Sequence, residues 1–202
     1  MKLYFAPGAC SLSPHILAHE LGLPLDIERV DLGKKVTASG ADFLAINPKG
    51  YVPTLVLDDG TVMCEAAALS QYLGDRKPEA GLIPPHGSIE RYRVIERLTF
   101  ISSEVHKGMG ALFGKWSDET RAAMEAKLAT RLDWLNADLT KADYLEGNRF
   151  GVADAYLFTV LGWARLVNVD LNRWPALVAY RERIAARPAV HSAMVAEGLI
   201  KA

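Results

Sequence analysis

The period of the apolar positions changes several times within the first 76 residues, which is typical of a segment that alternates strands and helices. Short apolar runs favour strands, recurrence at three and four residues favours helices, and glycine and proline mark the turns. In chain order, the pattern predicts a strand at residues 2–6, a helix at 11–21, a strand at 25–30, a helical turn at 42–46, a hairpin of 54–57 with 61–64, and a helix at 65–74. This order predicts an α/β domain with a mixed sheet.

From Ile89 onward, every apolar pattern has the spacing of a helix. The stretch Val152–Ala164 is apolar on nearly all sides, as expected for a helix at the centre of a bundle. The segment between the two regions is rich in proline and glycine and is typical of a linker. The sequence therefore predicts an α/β domain at residues 1–76, a linker at 77–88 and an all-helical domain at 89–202.

The 202 residues include 23 basic and 24 acidic side chains, which gives a formal net charge of −1. Nucleic acids and anionic membrane surfaces attract clustered positive charge, so this balance predicts neither as a partner. The chain has two cysteines, and its start lacks the apolar core of a signal peptide, so we expect a reducing, cytoplasmic location. The apolar stretch at 152–164 is too short to span a bilayer and contains Asp154.

Cys10 lies between the first predicted strand and the first predicted helix. The positive end of a helix lowers the pKa of a thiol placed there and so makes the thiol more reactive. Lowering that pKa by two units requires about 2.7 kcal/mol, whereas a helix end supplies about 0.3–1 kcal/mol and rarely about 2 kcal/mol. The position therefore predicts a reactive thiol that a second donor assists. The alternative is a small packing residue, which is how we interpret Cys64 in its strand.

Two further positions indicate recognition of a short peptide. A cis Val52–Pro53 bond would leave the backbone N–H and C=O of Val52 free to pair with an extended chain. Glu65, at the start of the last helix of the α/β domain, is placed to accept an ammonium group, and the N–H groups beside it suit a carboxylate. Each feature has an ordinary alternative, namely a trans proline at a strand start and a favourable acid in a first helical turn.

Six motifs together resemble the beta class of bacterial glutathione transferases, and the resemblance covers essentially the whole chain. They are PGACSLSPHI, NPKGYVPTL, Glu65-Ala66, FISSEVHKG, GVADAYLF and AEGLIK. The resemblance implies a thioredoxin-like N-terminal domain, an all-α C-terminal bundle, a homodimer, and glutathione as co-substrate. The combination of Cys10 with His106-Lys107 is the most specific part of it.

The resemblance also implies a glutathione site. Cys10 would lie next to the glutathione sulfur and form a mixed disulfide with it, and His106 would reach that sulfur as the second donor. Val52 would pair its backbone with the cysteinyl unit, after a cis Pro53. The other implied ligands are Glu65 and Ala66 for the γ-glutamyl end, Lys35 for the glycyl carboxylate, and Ser103 and Glu104 on the helix of His106, with the acid offered across the dimer interface.

The chain departs from the family pattern at three positions. Phe5 stands where relatives often have tyrosine, so no hydroxyl there can activate the thiol. Thr99 stands where asparagine is common, which leaves its role as a glutathione ligand open. Gly151 caps the buried helix in place of serine or threonine, and Asp154 three residues later can still accept its N–H.

Two histidines and one aromatic group bear on metal and substrate binding. His15 and His19 are four residues apart, but no acid or thiol completes a set at zinc spacing, so no metal is expected. Trp163 and the segment Met109–Phe113 are candidates for lining the pocket that holds an electrophile.

The leading interpretation is a transferase that joins glutathione to a small, often hydrophobic electrophile, whose identity the sequence does not give. The second is a monothiol oxidoreductase that removes glutathione from mixed disulfides, because Ser13 stands where a C-x-x-C motif has its second cysteine. The third is a non-catalytic binding protein on the same fold. The joint presence of Cys10, Val52-Pro53, Glu65 and His106 argues against the third.

Overall fold

The computed structural model describes residues 1–201. Its N-terminal part contains the strands β1 Lys2–Phe5, β2 Asp26–Asp31, β3 Val36–Thr37, β4 Thr54–Val56 and β5 Val62–Cys64. They form one sheet in the order β3-β2-β1-β4-β5. Strand β1 pairs parallel with β2, and every other neighbouring pair is antiparallel. The predicted mixed sheet is confirmed.

Strand β3 differs from the prediction, because the apolar pattern indicates a loop over residues 33–41. The strand pairs Val30 with Thr37 and Asp31 with Val36. Two residues are too few to establish an alternating pattern, so periodicity does not detect a strand of this length. The other four strands begin and end within one residue of their predicted bounds.

The helices are α1 Leu12–Leu21, α2 Phe43–Ile46, α3 Ala66–Arg76, α4 Ile89–Phe100, α5 Lys107–Ala111, α6 Asp118–Leu139, α7 Val152–Leu161, α8 Pro175–Ala185 and α9 Pro188–Ala196. A π-helix, Ile101–His106, joins α4 to α5, and 3-10 turns lie at Pro78–Ala80, Ala164–Val167 and Leu171–Arg173. Within residues 1–201, all the named strands precede α3, so an α/β part is followed by a helical part, as predicted. No helix in this range combines the length and apolar character of a membrane crossing.

Helix α1 holds the loop that carries Cys10. Its inner side is fully buried at Ile16 and Leu17, and the helix packs against α3, α7 and α9. Gly22 ends the helix with φ 57°, a left-handed conformation that glycine adopts without a steric penalty. Because α7 and α9 belong to the helical part, the start of α1 is held from both parts of the molecule.

Helix α7 lies at the centre of the helical part, as its apolar sequence predicts, and all ten of its residues are buried. One apolar cluster runs from Leu3 of β1 to Leu157 of α7, so the two parts share a core. A smaller cluster on the opposite face of the sheet contains Tyr4 and Phe43. Tyr4 and Phe5 therefore point to opposite faces of β1, as alternation along a strand requires.

Asp154 secures the start of α7. Its carboxylate accepts the N–H of Gly151 at 2.8 Å, the N–H of Leu145 at 3.0 Å and the hydroxyl of Tyr180 at 2.8 Å. Burial raises the pKa of Asp154 to about 6, although these three donors favour the charged form. The interpretation that half of a capping box survives beside Gly151 is confirmed.

Candidate functional site

Cys10 lies on the loop between β1 and α1, and its thiol faces the strand entry at Val52. The Sγ atom donates to the carbonyl oxygen of Val52 at 3.3 Å. The loop is closed by Ser11, whose hydroxyl lies 3.3 Å from both the N–H and the C=O of Ala6. Cys10 therefore lies against the backbone of Val52, the residue that the family resemblance expects to pair with the cysteinyl unit of glutathione.

The prediction of a low-pKa thiol is wrong, because burial raises the pKa of Cys10 to about 11. The backbone N–H groups of Cys10 and Ser11 and the charge of Lys107 lower that pKa, but by less than burial raises it. The geometry gives two further reasons. Helix α1 begins at Leu12, two residues after Cys10, and the Val52 carbonyl accepts the S–H and so stabilises the neutral form.

His106 lies at the end of the π-helix, where it contacts two aromatic side chains. Its Nδ1 atom is 2.6 Å from the hydroxyl oxygen of Tyr156, and its ring meets the ring of Trp163 edge-on at 4.8 Å between centroids. Burial, together with the charge of neighbouring Lys107, lowers the pKa of His106 to about 4. The imidazole ring of His106 is therefore neutral at pH 7. It cannot act as a positively charged donor at this pH.

The tautomer of His106 follows from the Tyr156 hydroxyl. Burial raises the pKa of Tyr156, so this hydroxyl keeps its proton at pH 7. We assign the Tyr156 proton to the hydrogen bond with Nδ1 of His106, which leaves the ring hydrogen on Nε2. A neutral His106 in this form still offers one N–H donor.

Trp163 connects the Cys10 loop to His106. Its indole Nε1 donates to the carbonyl oxygen of Gly8 at 2.8 Å, while its ring packs against His106. Phe113 approaches the same indole at 6.2 Å between ring centroids and is 54% exposed. An aromatic surface therefore begins at the loop of Cys10 and opens to solvent at Phe113.

The Val52–Pro53 peptide bond is cis, as the resemblance implies. Asn47 fixes this strand entry, since its amide donates to the carbonyl of Tyr51 and to the hydroxyl of Thr54, each at 2.9 Å. Both donors of the Asn47 amide are thus used to shape the backbone on either side of the cis bond.

Glu65 has φ 71°, a left-handed conformation that is uncommon for a residue other than glycine. Its exposed carboxylate accepts the hydroxyl of Tyr51 at 2.7 Å, and this hydrogen bond raises the pKa of Tyr51 to about 12. Ala66 begins α3 directly after it, and the first N–H groups of a helix lack partners within the helix. The Glu65 carboxylate, which is an acceptor, and the free N–H groups at the start of α3, which are donors, therefore lie next to each other in the chain.

Tyr51 is a contact that the sequence reasoning missed, although it stands inside the motif NPKGYVPTL. Its position directly before Val52 was the available signal. Lys35 lies nearby, with φ 57°, and donates from Nζ to the carbonyl of Gly50 at 2.7 Å. Its ammonium group is therefore beside the same backbone segment as Tyr51.

Thr99, Ser103 and Glu104 are not joined to Cys10 within one chain. Thr99 donates to the carbonyl of Ile95 at 2.7 Å, and Ser103 donates to the carbonyl of Thr99 at 2.9 Å. Glu104 pairs with Arg131 of α6 at 2.8 Å. These three side chains have their partners on α4 and α6, not on the sheet.

The residues described in the range 1–201 contain no cluster of three or more metal-ligating side chains. The structure does supply an acid next to His15, which the sequence reasoning missed. Glu197 lies 3.0 Å from Nδ1 of His15, although the two residues are 182 positions apart in the chain. Only the family motif AEGLIK drew attention to Glu197, without a role.

Comparison with known proteins decides the family. The glutathione S-transferase N-terminal domain model matches residues 8–76, and the C-terminal domain model matches residues 100–188. Glutathione S-transferase GstA of Escherichia coli O157:H7 is 44% identical over 98% of this chain and 100% of its own length. This chain belongs to the glutathione S-transferase family.

Solved structures place this transferase among bacterial members. The beta-class glutathione S-transferase of Sphingomonas chungbukensis matches with a TM-score of 0.94 and 45% identity, covering 99% of this chain and 100% of its own. A sphingomonad glutathione S-transferase complexed with glutathione matches with the same values. The leading interpretation of the sequence, a bacterial beta-class glutathione transferase, is confirmed, as is the predicted fold class.

Proposed function

We propose that this transferase binds glutathione along the edge formed by Val52 and Glu65 and joins its thiol to small electrophiles. One observation carries the proposal: the Cys10 thiol donates a hydrogen bond to the carbonyl oxygen of Val52. The cysteinyl unit of a bound tripeptide would pair with the backbone of the same residue. A ligand on this edge brings its sulfur next to Cys10. Residues 1–76 would form the glutathione-binding domain, 77–88 the linker and 89–202 the helical domain.

The two ends of glutathione meet complementary charges in this arrangement. We propose that Glu65 accepts the α-ammonium of the γ-glutamyl unit and that the N–H groups at Ala66 bind its carboxylate. The left-handed backbone of Glu65 and its hydrogen bond from Tyr51 support this role, because both fix the carboxylate at the exposed edge. Lys35 would leave the Gly50 carbonyl and bind the glycyl carboxylate.

The proposed chemistry uses neutral donors. Both the Cys10 S–H, with its raised pKa, and Nε2–H of the neutral His106 can donate to the glutathione sulfur and stabilise its thiolate. The thiolate then attacks the electrophile, a thioether bond forms, and the leaving group departs with its electron pair. The surface of Trp163 and Phe113 is the candidate site for the apolar body of the electrophile.

Removal of glutathione from mixed disulfides is the second candidate activity of the same site. Both cysteines are free in the structure, so Cys10 is available for exchange. In that reaction the Cys10 thiolate attacks the disulfide, takes up glutathione and releases the other thiol. The raised pKa of Cys10 shifts this activity to alkaline pH.

We propose a homodimer in the cytoplasm. Tyr92 on α4 and Trp134 on α6 are 60% and 47% exposed, which supports a partner surface on these helices. Thr99 lies on α4, and Ser103 and Glu104 lie on the π-helix that continues it, so a contribution from them to glutathione binding would be made to the partner copy. Sedimentation at micromolar concentration tests this, and a stable particle of the 22.1 kDa monomer would overturn it.

Two substrates separate the activities. A chlorinated aromatic compound reports conjugation, and a glutathione mixed disulfide reports thiol exchange. We expect Cys10→Ala to abolish exchange and to reduce conjugation only in part, while His106→Ala impairs both. Wild-type protein that turns over neither substrate would contradict the proposed function.

A further inference from the structure

Arg121, in the first turns of α6, binds two backbone carbonyl groups that belong to different segments of the helical part. Its Nη1 atom donates to the carbonyl oxygen of Leu112 at 3.3 Å, and its Nη2 atom donates to the carbonyl oxygen of Val167. Its Nε atom forms an ion pair with Glu125 at 2.8 Å, one turn further along the same helix. Every nitrogen of this guanidinium group therefore has a partner.

The two carbonyl groups stand close in the chain to the two aromatic side chains of the candidate electrophile surface. Leu112 directly precedes Phe113. Val167 donates from its N–H to the carbonyl oxygen of Trp163 at 3.1 Å, so it belongs to the turn that begins at Trp163. Arg121 therefore joins the segment of Phe113 to the segment of Trp163, and the centroids of these two rings lie 6.2 Å apart.

The side chain of Trp163 is fixed by contacts of its own, whereas Phe113 depends on its backbone. The Trp163 indole donates to the carbonyl of Gly8 and packs against the ring of His106. Phe113 follows the end of α5 and is more than half exposed. The place of the Phe113 ring therefore follows from how the chain directly before it is held.

Trp116 binds the neighbouring carbonyl group of the same segment. Its indole Nε1 donates to the carbonyl oxygen of Ala111 at 2.7 Å. A Cβ atom at Gly114 would lie 2.6 Å from that nitrogen, so glycine leaves the room that the indole occupies. The last carbonyl groups of a helix lack partners within the helix, and here Trp116 and Arg121 each donate to one of them. Two side-chain donors thus fix the backbone directly before Phe113.

We propose that Arg121 is a positioning residue for the electrophile: it fixes the separation of Phe113 and Trp163 and so determines which apolar groups fit between them. The inference rests on the proposed function and names the residue that sets its specificity. A guanidinium group can span two carbonyl groups because its donors lie in one rigid plane. Loss of Arg121 changes the electrophile surface and leaves Val52 and Glu65, along which glutathione binds, in place.

Calorimetric titration with glutathione and with its dinitrophenyl conjugate separates the two parts of the site. The conjugate carries the aromatic body of an electrophile on the same tripeptide, so the ratio of the two dissociation constants reports the electrophile surface. We expect Arg121→Ala to weaken binding of the conjugate about fivefold, the scale of one aromatic contact, and to leave the affinity for glutathione unchanged. In turnover, KM for chlorodinitrobenzene should rise while KM for glutathione stays at its wild-type value.

Three variants serve as controls. Glu125→Ala removes the ion pair of Arg121 but leaves both carbonyl groups bound, so it should match wild type. Arg183→Ala removes a guanidinium group of α8 that binds the Asp143 carbonyl at 2.7 Å, a contact that involves neither aromatic segment, and should also match wild type. Arg121→Lys places an ammonium group that reaches one carbonyl but cannot span two, so it should shift the ratio in the same direction as Arg121→Ala, by less.

Phe113→Ala tests whether Arg121 acts through this ring. The single change should itself weaken binding of the conjugate, and Arg121→Ala should add little to it, because residues that act as a unit give non-additive effects. Hydrogen–deuterium exchange over residues 111–116 should be faster in Arg121→Ala than in wild type and should not change in Arg183→Ala.

The proposal is overturned if Arg121→Ala keeps the wild-type ratio of dissociation constants, or if its effect is undiminished in the Phe113→Ala background. If Arg121→Ala does not fold, Arg121→Lys takes its place, and wild-type values in it overturn the proposal. A wild type that binds neither glutathione nor the conjugate would sink the proposed function. Exchange needs no ligand, so unchanged exchange over residues 111–116 would then still refute the role of Arg121.

Discussion

The start of α7 and the edge at Cys10 treat polar groups in opposite ways. At α7, the Asp154 carboxylate is fully buried and is surrounded by three donors of the same chain. At the edge, Glu65 is exposed and has a left-handed backbone conformation. The Cys10 thiol there donates a hydrogen bond to the carbonyl oxygen of Val52. The first region is closed on itself, while the second keeps groups that an incoming peptide can engage.

This difference separates polar residues that stabilise the fold from polar residues that are available to bind a ligand. A polar residue whose partners are all internal contributes to folding, because removing it leaves those partners unpaired. A polar residue that faces solvent in an uncommon conformation contributes little to folding and is retained for binding. The four predictions below test this division.

The largest expected effect concerns the reactivity of Cys10. With a pKa of about 11, the thiol should alkylate at pH 6.5 roughly a hundredfold more slowly than a free cysteine, whose pKa is about 8.5. The logarithm of the rate should rise linearly with pH to beyond pH 9. The rate of iodoacetamide labelling, followed by mass spectrometry, measures this. A plateau near pH 7 would restore the activated-thiol interpretation.

Asp154→Ala should lower the free energy of unfolding by about 3 kcal/mol, because it leaves buried donors of Leu145 and Tyr180 without an acceptor. Activity per folded molecule should not change. Asp118→Ala is the matched control, since Asp118 is an exposed acid in the first turn of α6 and its loss should cost about 0.5 kcal/mol or less. Urea denaturation of both variants decides the comparison, and equal midpoints would refute it.

Glu65→Ala should weaken glutathione binding by about 2 kcal/mol, or roughly thirtyfold, and leave the melting temperature unchanged. Tyr51→Phe removes only the hydroxyl that donates to Glu65, so it should weaken binding by a smaller factor. Calorimetric titration with glutathione measures both variants. Wild-type affinity in Glu65→Ala would show that this edge does not hold the γ-glutamyl unit.

The smallest effect is a pair of opposite pH dependences. The folded pKa of Asp154 is raised to about 6, so its contribution to stability grows as pH falls from about 6 towards 4. The folded pKa of His106 is lowered to about 4, so the unfolded state binds a proton first and stability is lost as pH falls from about 6.5 to 4. Asp154→Asn should steepen the loss of stability on acidification, and His106→Gln should flatten it. Thermal melts between these pH values measure both slopes, and identical slopes in all three proteins would contradict the pKa assignments.

The pattern of the chain predicts the frame of the fold, because the short apolar run of β1 is buried on both faces of the sheet and α7 is buried on every side. It does not predict β3, which is held by two residue pairs and not by an apolar face. Local sequence also cannot show the contact between His15 and Glu197, since the two residues meet only when α9 packs on α1.

The protonation states of Cys10 and His106 were harder to predict from the sequence than the identity of the site residues. Motifs place Cys10 near Val52, but helix position alone argued for a lowered pKa of the thiol. Desolvation and the carbonyl acceptor reverse that direction, and both depend on tertiary packing. The same holds for His106, whose neutral state follows from burial beside Tyr156 and Trp163.

The π-helix at Ile101–His106 fixes a rotational register in the helical part. Each residue of an α-helix advances the chain by about 100° around the helix axis, so one residue more or less turns everything beyond it by that angle. If the same six residues adopted α-helical geometry in place of the wider π turn, His106 would rotate by roughly 100° about the helix axis, away from Tyr156 and Trp163. The length of this helix is therefore as much a part of the site as the identity of its histidine.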